Sequence, residues 1–498
     1  MERQQQVEVQ QQVSMPMGLR YDLAVSDSVP ANRNIAQFLA SNASVFGVSN
    51  NTIRINVSSG SFLDLKNALL QYELKNTTSQ TIQLDGGADC VINRIRVLSS
   101  DGSEIERIDS YNIIASILDQ YTTNDSSLRV LSALKGSPSR LDDTPLFDEF
   151  TFSTTGTAYD SSGTSTGLNL KASATIGGDL SLKNDKGGRG YDHKQADKLA
   201  TTVVRKYSFG LKLGLFNSLT SKLLPPNTPF QLEIQLENSG ANCLVNVGAN
   251  AVPTFTVENV ELHIPAITIN DPAFMARMDD LMNRGMSWKA NTYQHFVNTT
   301  SSSGSKDNIQ LGARARSLKG LITVLRQNNN ITANQKFKIS KRSIQYVSDY
   351  IYKIGPNNYP IDRVEIKTCD TGDANGTDSN VRLTGNPSLN NVNIAEAYAQ
   401  MLRLSGNLNQ SNPSCLIGPE AFGQSEVNNG CGVLAIDLSA YSDGSVNSGI
   451  NTNNNMPVSI EISKLSTVIA SQDLQLDTFS VNELVIMRMP NGVLASSY

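Results

Sequence analysis

A chain of 498 residues with 41 Lys and Arg against 46 Asp and Glu carries a formal net charge of −5, which argues against a broad basic face for gripping duplex nucleic acid. Hydrophobic residues make up 39% and charged residues 17%, both below soluble averages, and Asn, Ser, Thr and Gln fill the difference, as suits strands joined by many turns and long loops. No apolar run of about twenty residues occurs, which excludes a membrane-spanning helix, and the length calls for two large domains or several small ones.

Residues 1 to 18, "MERQQQVEVQQQVSMPMG", are Gln-rich with little to bury and read as a mobile arm, without the apolar core of a signal peptide. Strands begin near Asn50 with "NTIRINVSS", continue through "LKNALLQYELKN", and reach a hairpin at residues 90 to 109, "CVINRIRVLSSDGSEIERID". Its turn is Ser99-Ser100-Asp101-Gly102, where Gly102 takes a positive φ at no steric cost and Asp101 bonds the backbone ahead of it. In "SEIERID", Ile105 and Ile108 interleave with Glu104, Glu106 and Arg107, predicting a half-buried strand with both glutamates on its wet face.

The spacing of Ile113, Ile114, Ile117, Leu118 and Tyr121 predicts a short helix over 110–121, covering one end of a sandwich. Residues 151 to 198, rich in Gly, Ser and Thr, form a long surface loop. Two strands then flank the Pro-Pro turn of "RKYSFGLKLGLFNSLTSKLLPPNTPFQLEIQLENS", and "TFTVENVELHIPAITI" (254–269) closes the first half. "DPAFMARMDDLMNRGMSW" (271–288) is a helix with Asp271 as N-cap and Pro272 at the first helical position. Phe274, Met275, Met278 and Met282 make its apolar stripe, read as packing.

The second half repeats that layout. "SLKGLITVLRQ" (317–327) is strand-like, and "NIAEAYAQMLRLSG" (393–406) is an amphipathic helix with Ala395, Tyr398 and Leu402 on one side and Gly406 closing it. "MPVSIEISKL" and "TFSVNELVIMRMPNGV" are late strands, the second ending in an Asn-Gly turn. Many short strands with little helix favour β-sandwiches of the jelly-roll type.

Candidates for chemistry are few, and each has a structural reading. His193, His263 and His295 stand apart, with no metal-ligand spacing. Asp142-Asp143 and Asp279-Asp280 are adjacent in sequence, so the carboxylates of each pair do not face one another. Cys90, Cys243, Cys369, Cys415 and Cys431 form no CxxC pair and predict free thiols in a reducing compartment. "GGRG" (187–190) lacks the lysine and helix of a phosphate loop, and the arginines of "ARARS" (313–317) fit an exposed strand edge. Trp288 is the only tryptophan, so aromatic platforms for sugars or bases are scarce. The triplet Asn76-Thr77-Thr78 is a chance product of an Asn-rich chain. No catalytic, cofactor-binding or metal residue is assigned, and no cofactor is expected.

An ordered set of segments resembles the double jelly-roll major capsid proteins of icosahedral double-stranded DNA viruses, of the polinton-like virus, adintovirus and virophage type. In the first half these are "DCVINRIRVLSSDGSEIERIDSYNIIASILDQY", "FGLKLGLFNSLTSKLLPPNTPFQLEIQLEN" and "FTVENVELHIPAITIND". In the second they are "ARSLKGLITVLRQ", "YKIGPNNYP", "NIAEAYAQMLRLSG" and "LDTFSVNELVIMRMPNG". The resemblance implies an all-β protein of two consecutive eight-stranded jelly rolls with short helices and long surface loops. It places an N-terminal arm at 1–20, a first jelly roll at 21–265 with the 151–198 loop, and a helical linker at 266–287. A second jelly roll with loop 369–392 and a short C-terminal tail then fills 288–498. It further implies a structural protein of the virion, not an enzyme, made and assembled inside the host cell. Its partners would be copies of itself, in pseudo-hexagonal homotrimers that tile an icosahedral shell, together with penton and minor capsid proteins. No sequence-specific contact with nucleic acid is implied. A carbohydrate-binding or cell-attachment β-sandwich is the alternative, and it would call for a signal peptide, paired cysteines and exposed aromatics. A cupin-like enzyme would call for clustered histidines with a carboxylate.

Overall fold

Period-two burial governs most strands. In β3 (Thr52–Val57), Ile53, Ile55 and Val57 are buried while Arg54 and Asn56 are exposed, and in β11 (Phe230–Leu236) every second residue is buried. Such alternation lets one face of a sheet pack while the other stays wet. The computed structural model describes residues 31–124, 133–136, 198–218, 222–246, 251–300, 306–327, 337–342, 344, 347–366, 393–408, 415–417, 422–423, 431–440, 448–454, 456–464 and 474–497.

In the first half, one sheet runs in the order β1 (Ala31–Leu39), β13 (Phe255–Ile269), β5 (Leu69–Asn76) and β10 (Val204–Phe209). The short strands β2 (Val45–Gly47) and β4 (Phe62–Leu63) also pair with β13. The second sheet runs β3, β11, β7 (Ile92–Ser99) and β8 (Glu104–Asp109). A small third sheet joins β12 (Leu244–Asn246), β6 (Ile82–Leu84) and β9 (Lys198–Leu199).

In the second half, one sheet orders β14 (Met286–Thr299), β21 (Leu474–Arg488), β16 (Leu318–Gln327) and β19 (Leu434–Asp437), with β22 (Leu494–Ser497) added to β21. The other orders β15 (Lys306–Leu311), β20 (Val458–Lys464), β17 (Val347–Ile354) and β18 (Asn357–Glu365).

If the long strands of each half are numbered one to eight along the chain, both halves have the sheets 1-8-3-6 and 2-7-4-5. Every pairing is antiparallel. That order is one long antiparallel ribbon rolled on itself, the jelly roll. The fold expected from sequence is therefore present twice.

Between the sheets lies the core. In the first half Ile55, Ile95, Leu232 and Ile234 of one sheet and Tyr72, Leu74, Leu262 and Tyr207 of the other are all buried. Tyr72 meets Phe209 edge-on at 5.7 Å between ring centroids, a favoured aromatic geometry. In the second half polar groups also cross the sandwich: Tyr352 of β17 donates to Leu434 O of β19 at 3.0 Å.

Several local readings change. Glu106 is buried, not wet, because the β7–β8 ladder slips between Val97 and Leu98. That bulge puts Ile105, Glu106 and Ile108 all out of solvent. The predicted helix is α1 (Tyr111–Thr122) and is buried along nearly its whole length. It lies against both halves: the Tyr121 hydroxyl donates to Cys431 O at 3.0 Å and Gln120 Nε2 to Ser340 O at 3.0 Å.

Helix α2 (Pro272–Arg284) starts as expected, with Asp271 Oδ1 accepting from Ala273 N and Phe274 N. Of its predicted stripe only Met282 is buried, and Phe274 is exposed beside the Phe62 ring. In α3 (Ala395–Leu404) the packed face is Ala397, Gln400 and Met401, while Ala395 is exposed. "ARARS" is a loop after β15: Ala313 and Ala315 are buried, and the two arginines are exposed. The stretch 266–287 holds the end of β13 and the start of β14 as well as α2. The arm at 1–20, residues 151–197 and the loop 369–392 lie outside the described residues, as do Asp142, Asp143, "GGRG", His193 and Cys369.

Candidate assembly block and its buried polar seam

The histidines resolve into two strand contacts. His263 lies on β13 with Nε2 at 2.8 Å from Glu261 Oε2. His295 sits within β14 and stacks on Phe479 at 4.7 Å between ring centroids. Its Nε2 is 2.9 Å from Asp477 Oδ1, and Arg326 Nε donates to Asp477 Oδ2 at 2.7 Å. This buried trio ties β14, β21 and β16 together. Burial pushes the Asp477 carboxyl up, but Arg326 and then His295 outweigh it and hold the group below its usual range.

Asp279 and Asp280 are exposed on α2, and Asp280 pairs with Arg284 one turn on. Trp288 is packed in the core. Asn76 is buried, with Nδ2 donating to Gln80 O and Leu199 O. Cys90, Cys243, Cys415 and Cys431 form no disulfide, and burial raises the Cys90 and Cys243 thiols. Among the described residues no group of three or more His, Cys, Asp or Glu is placed to hold a metal ion. None of their helices is long and apolar enough to cross a membrane.

What the fold does bring together is a polar seam between the two jelly rolls. Asp85 follows β6 at a turn where Gly86 and Gly87 both take positive φ. Its carboxylate accepts from Lys338 N at 2.5 Å, Ile339 N at 2.7 Å, and Ser340 N and Oγ at 2.9 and 2.6 Å. A carboxylate so enclosed by donors is a strong link between the halves.

Glu106 makes a second link. Gly214 N and Leu215 N donate to it at 2.7 and 3.1 Å, and Thr292 Oγ1 of β14 at 2.8 Å. Gly214 leaves the space this needs, since a Cβ there would stand 2.8 Å from Asn291 O and 3.0 Å from Glu106 Oε1. Burial raises the Glu106 carboxyl, and its three donors only partly oppose that.

Two further contacts close the seam. Arg488 Nε of β21 donates to Thr228 Oγ1 at 2.8 Å, and Leu494 N of β22 to Ser99 Oγ at 3.0 Å. None of these partnerships was visible in sequence. For Glu106 the signal was its neighbours: isoleucines three apart in a strand, where two or four keeps one face, mark a bulge.

Each half also lays a charge ladder across the outer face of its 2-7-4-5 sheet. Arg54–Glu233–Arg96–Glu104 spans β3, β11, β7 and β8, with contacts of 3.1, 2.9 and 2.8 Å. Lys353, Glu461, Arg363 and Asp349 do the same over β17, β20 and β18. Cross-strand pairs of this kind stabilise by a few tenths of a kcal/mol to about 1 kcal/mol each.

The geometry defines two jelly rolls of the same strand order joined by a polar seam, the double jelly-roll fold found in viral major capsid proteins. No family model matches the sequence, nor does any curated protein. Solved structures do match the fold. VP54 of PBCV-1, fitted into a reconstruction of the virophage Sputnik, has a TM-score of 0.53 at 10% identity, covering 96% of this chain and 99% of that one. The Sputnik virophage structure gives a TM-score of 0.51 at 11% identity, with 99% and 93% covered. The mavirus major capsid protein gives 0.50 at 9% identity, with 100% and 96% covered.

Proposed function

We propose that this chain is a major capsid protein, without enzymatic activity, that forms pseudo-hexagonal homotrimers and tiles an icosahedral virus shell. One observation carries the reading: two jelly rolls of identical strand order are locked into one block by the Asp85 and Glu106 links. The fold likeness supports it, because it spans nearly the whole of both chains. Shell building needs stiff tiles, and paired sandwiches give stiffness without disulfides. The exposed edge strands β1 and β18, with Ile35 at 63% and Ile361 at 86% exposure, offer apolar contacts to neighbouring copies. Penton and minor capsid proteins would complete the shell. In this reading the protein resides in the virion after synthesis in the host cell.

The test is the mass of the purified protein by light scattering behind a sizing column, with negative-stain imaging. Three chains in a hexagonal outline, or closed shells, are expected. A species that stays monomeric at high concentration would overturn the proposal.

A further inference from the structure

Beneath the first jelly roll lies a buried charge cluster that the assembly reading does not use. Lys135 belongs to the short described stretch 133–136, and its side chain is 3% exposed. Its Nζ donates to Asp89 Oδ2 at 2.9 Å and also contacts Asp119 Oδ2, with those carboxylates 3% and 2% exposed. Asp89 sits in the short 3-10 turn Ala88–Val91, and Asp119 on α1. Lys212 Nζ reaches the other oxygen of Asp119 at 3.1 Å. The Phe209 ring centroid is 5.9 Å from Lys135 Nζ. Gly87 lets the chain in, since a Cβ there would meet Lys135 O at 3.3 Å.

An amine in contact with one buried carboxyl and bonded to a second, all three at most 3% exposed, is the arrangement for amide condensation. We propose that Lys135 Nζ and Asp119 Cγ join in an intramolecular isopeptide bond, with Asp89 as the proton shuttle. The resting cluster is ionised, because the two carboxylates outweigh burial and hold Lys135 charged. Burial raises the Asp119 carboxyl, but Lys135 and Lys212 outweigh it and hold the group below its usual range. Lys135 therefore gives one proton first to Asp89 across their 2.9 Å hydrogen bond. Asp89 hands it to Asp119, which yields a neutral amine and a carboxylic acid. Nζ attacks Cγ while Asp89 takes a second proton from the nitrogen. Asp89 is suited to this, since burial and then the Asp119 charge beside it raise its carboxyl, beyond what Lys135 offsets.

Asp89 returns that proton to the departing hydroxyl, and the C–O bond breaks as water leaves. The products are one amide and one water, and Asp89 ends as the carboxylate it began as. Lys212 polarises the Asp119 carbonyl throughout. Burial supplies the driving force: the step converts two ions held away from water into an uncharged amide. Asp89 and Lys212 remain as compensating charges.

Intact mass of the purified full chain under denaturing conditions tests this, with peptide mapping. The wild type is expected one water lighter than its sequence, with no tryptic cleavage after Lys135 and with the Asp119 and Lys135 peptides joined. Lys135→Arg keeps the charge and the fold but removes the nucleophile, so it is expected at full sequence mass, as is Asp89→Ala. Asp119→Asn is expected one ammonia lighter. A wild-type chain at full mass overturns the proposal. So does a water loss that persists in Lys135→Arg, which would mark dehydration elsewhere, such as at Asp85-Gly86.

Discussion

Two buried carboxylates respond to pH in opposite directions. Glu106 holds its proton more tightly in the folded chain than in the unfolded one. Between the unfolded and folded values the native state therefore carries the extra proton, and stability falls as pH rises through that window. Glu106→Gln should flatten this fall, measured as urea midpoints across the acid-to-neutral range. Glu106→Ala strands three donors and should cost about 2–4 kcal/mol. Asp477 is the reverse, with its folded value depressed. Its contribution is present above the ordinary carboxylate range and is lost as pH falls through the folded value. Asp477→Asn leaves Arg326 without a buried counter-charge and should cost about 3 kcal/mol near neutrality, less in acid.

At the scale of elements, alternation was enough to find β3, β5, β7 and β11 from sequence, since each needs one packed face. Helix α1 was equally legible from its isoleucine spacing. Its setting was not, because a helix buried on nearly every side carries a polar residue that only a second domain explains: Gln120 is fully buried and donates to Ser340 O. The packed face of α3 was only partly legible: Tyr398 does pack against the core, but small Ala397 and polar Gln400 are buried with Met401 while Ala395 is exposed. Helix α2 lies on the surface, so removing its cap should act locally. Asp271→Ala is expected to cost about 1 kcal/mol and to speed proteolysis between β13 and β14 while leaving the sheets intact. Unchanged cleavage there would show that packing at Met282, not capping, holds the helix.

For the molecule as a whole, the partnerships that matter join residues far apart in sequence, such as Asp85 with residues 338–340. No local pattern reports such a pair, which is why the fold could be read and the seam could not. The seam also makes a thermodynamic prediction. With the halves sharing buried links, unfolding should be a single calorimetric transition. Asp85→Ala strands four donors and should split it into two, with the second half melting first because it loses the order of 338–340. One undivided transition in that variant would place the coupling on Glu106 and Arg488 instead. The Leu494–Ser99 contact has a temporal meaning as well. Its partners are 395 residues apart, so at ribosomal speeds Ser99 waits on the order of tens of seconds for Leu494. A chain interrupted in that interval keeps an open seam.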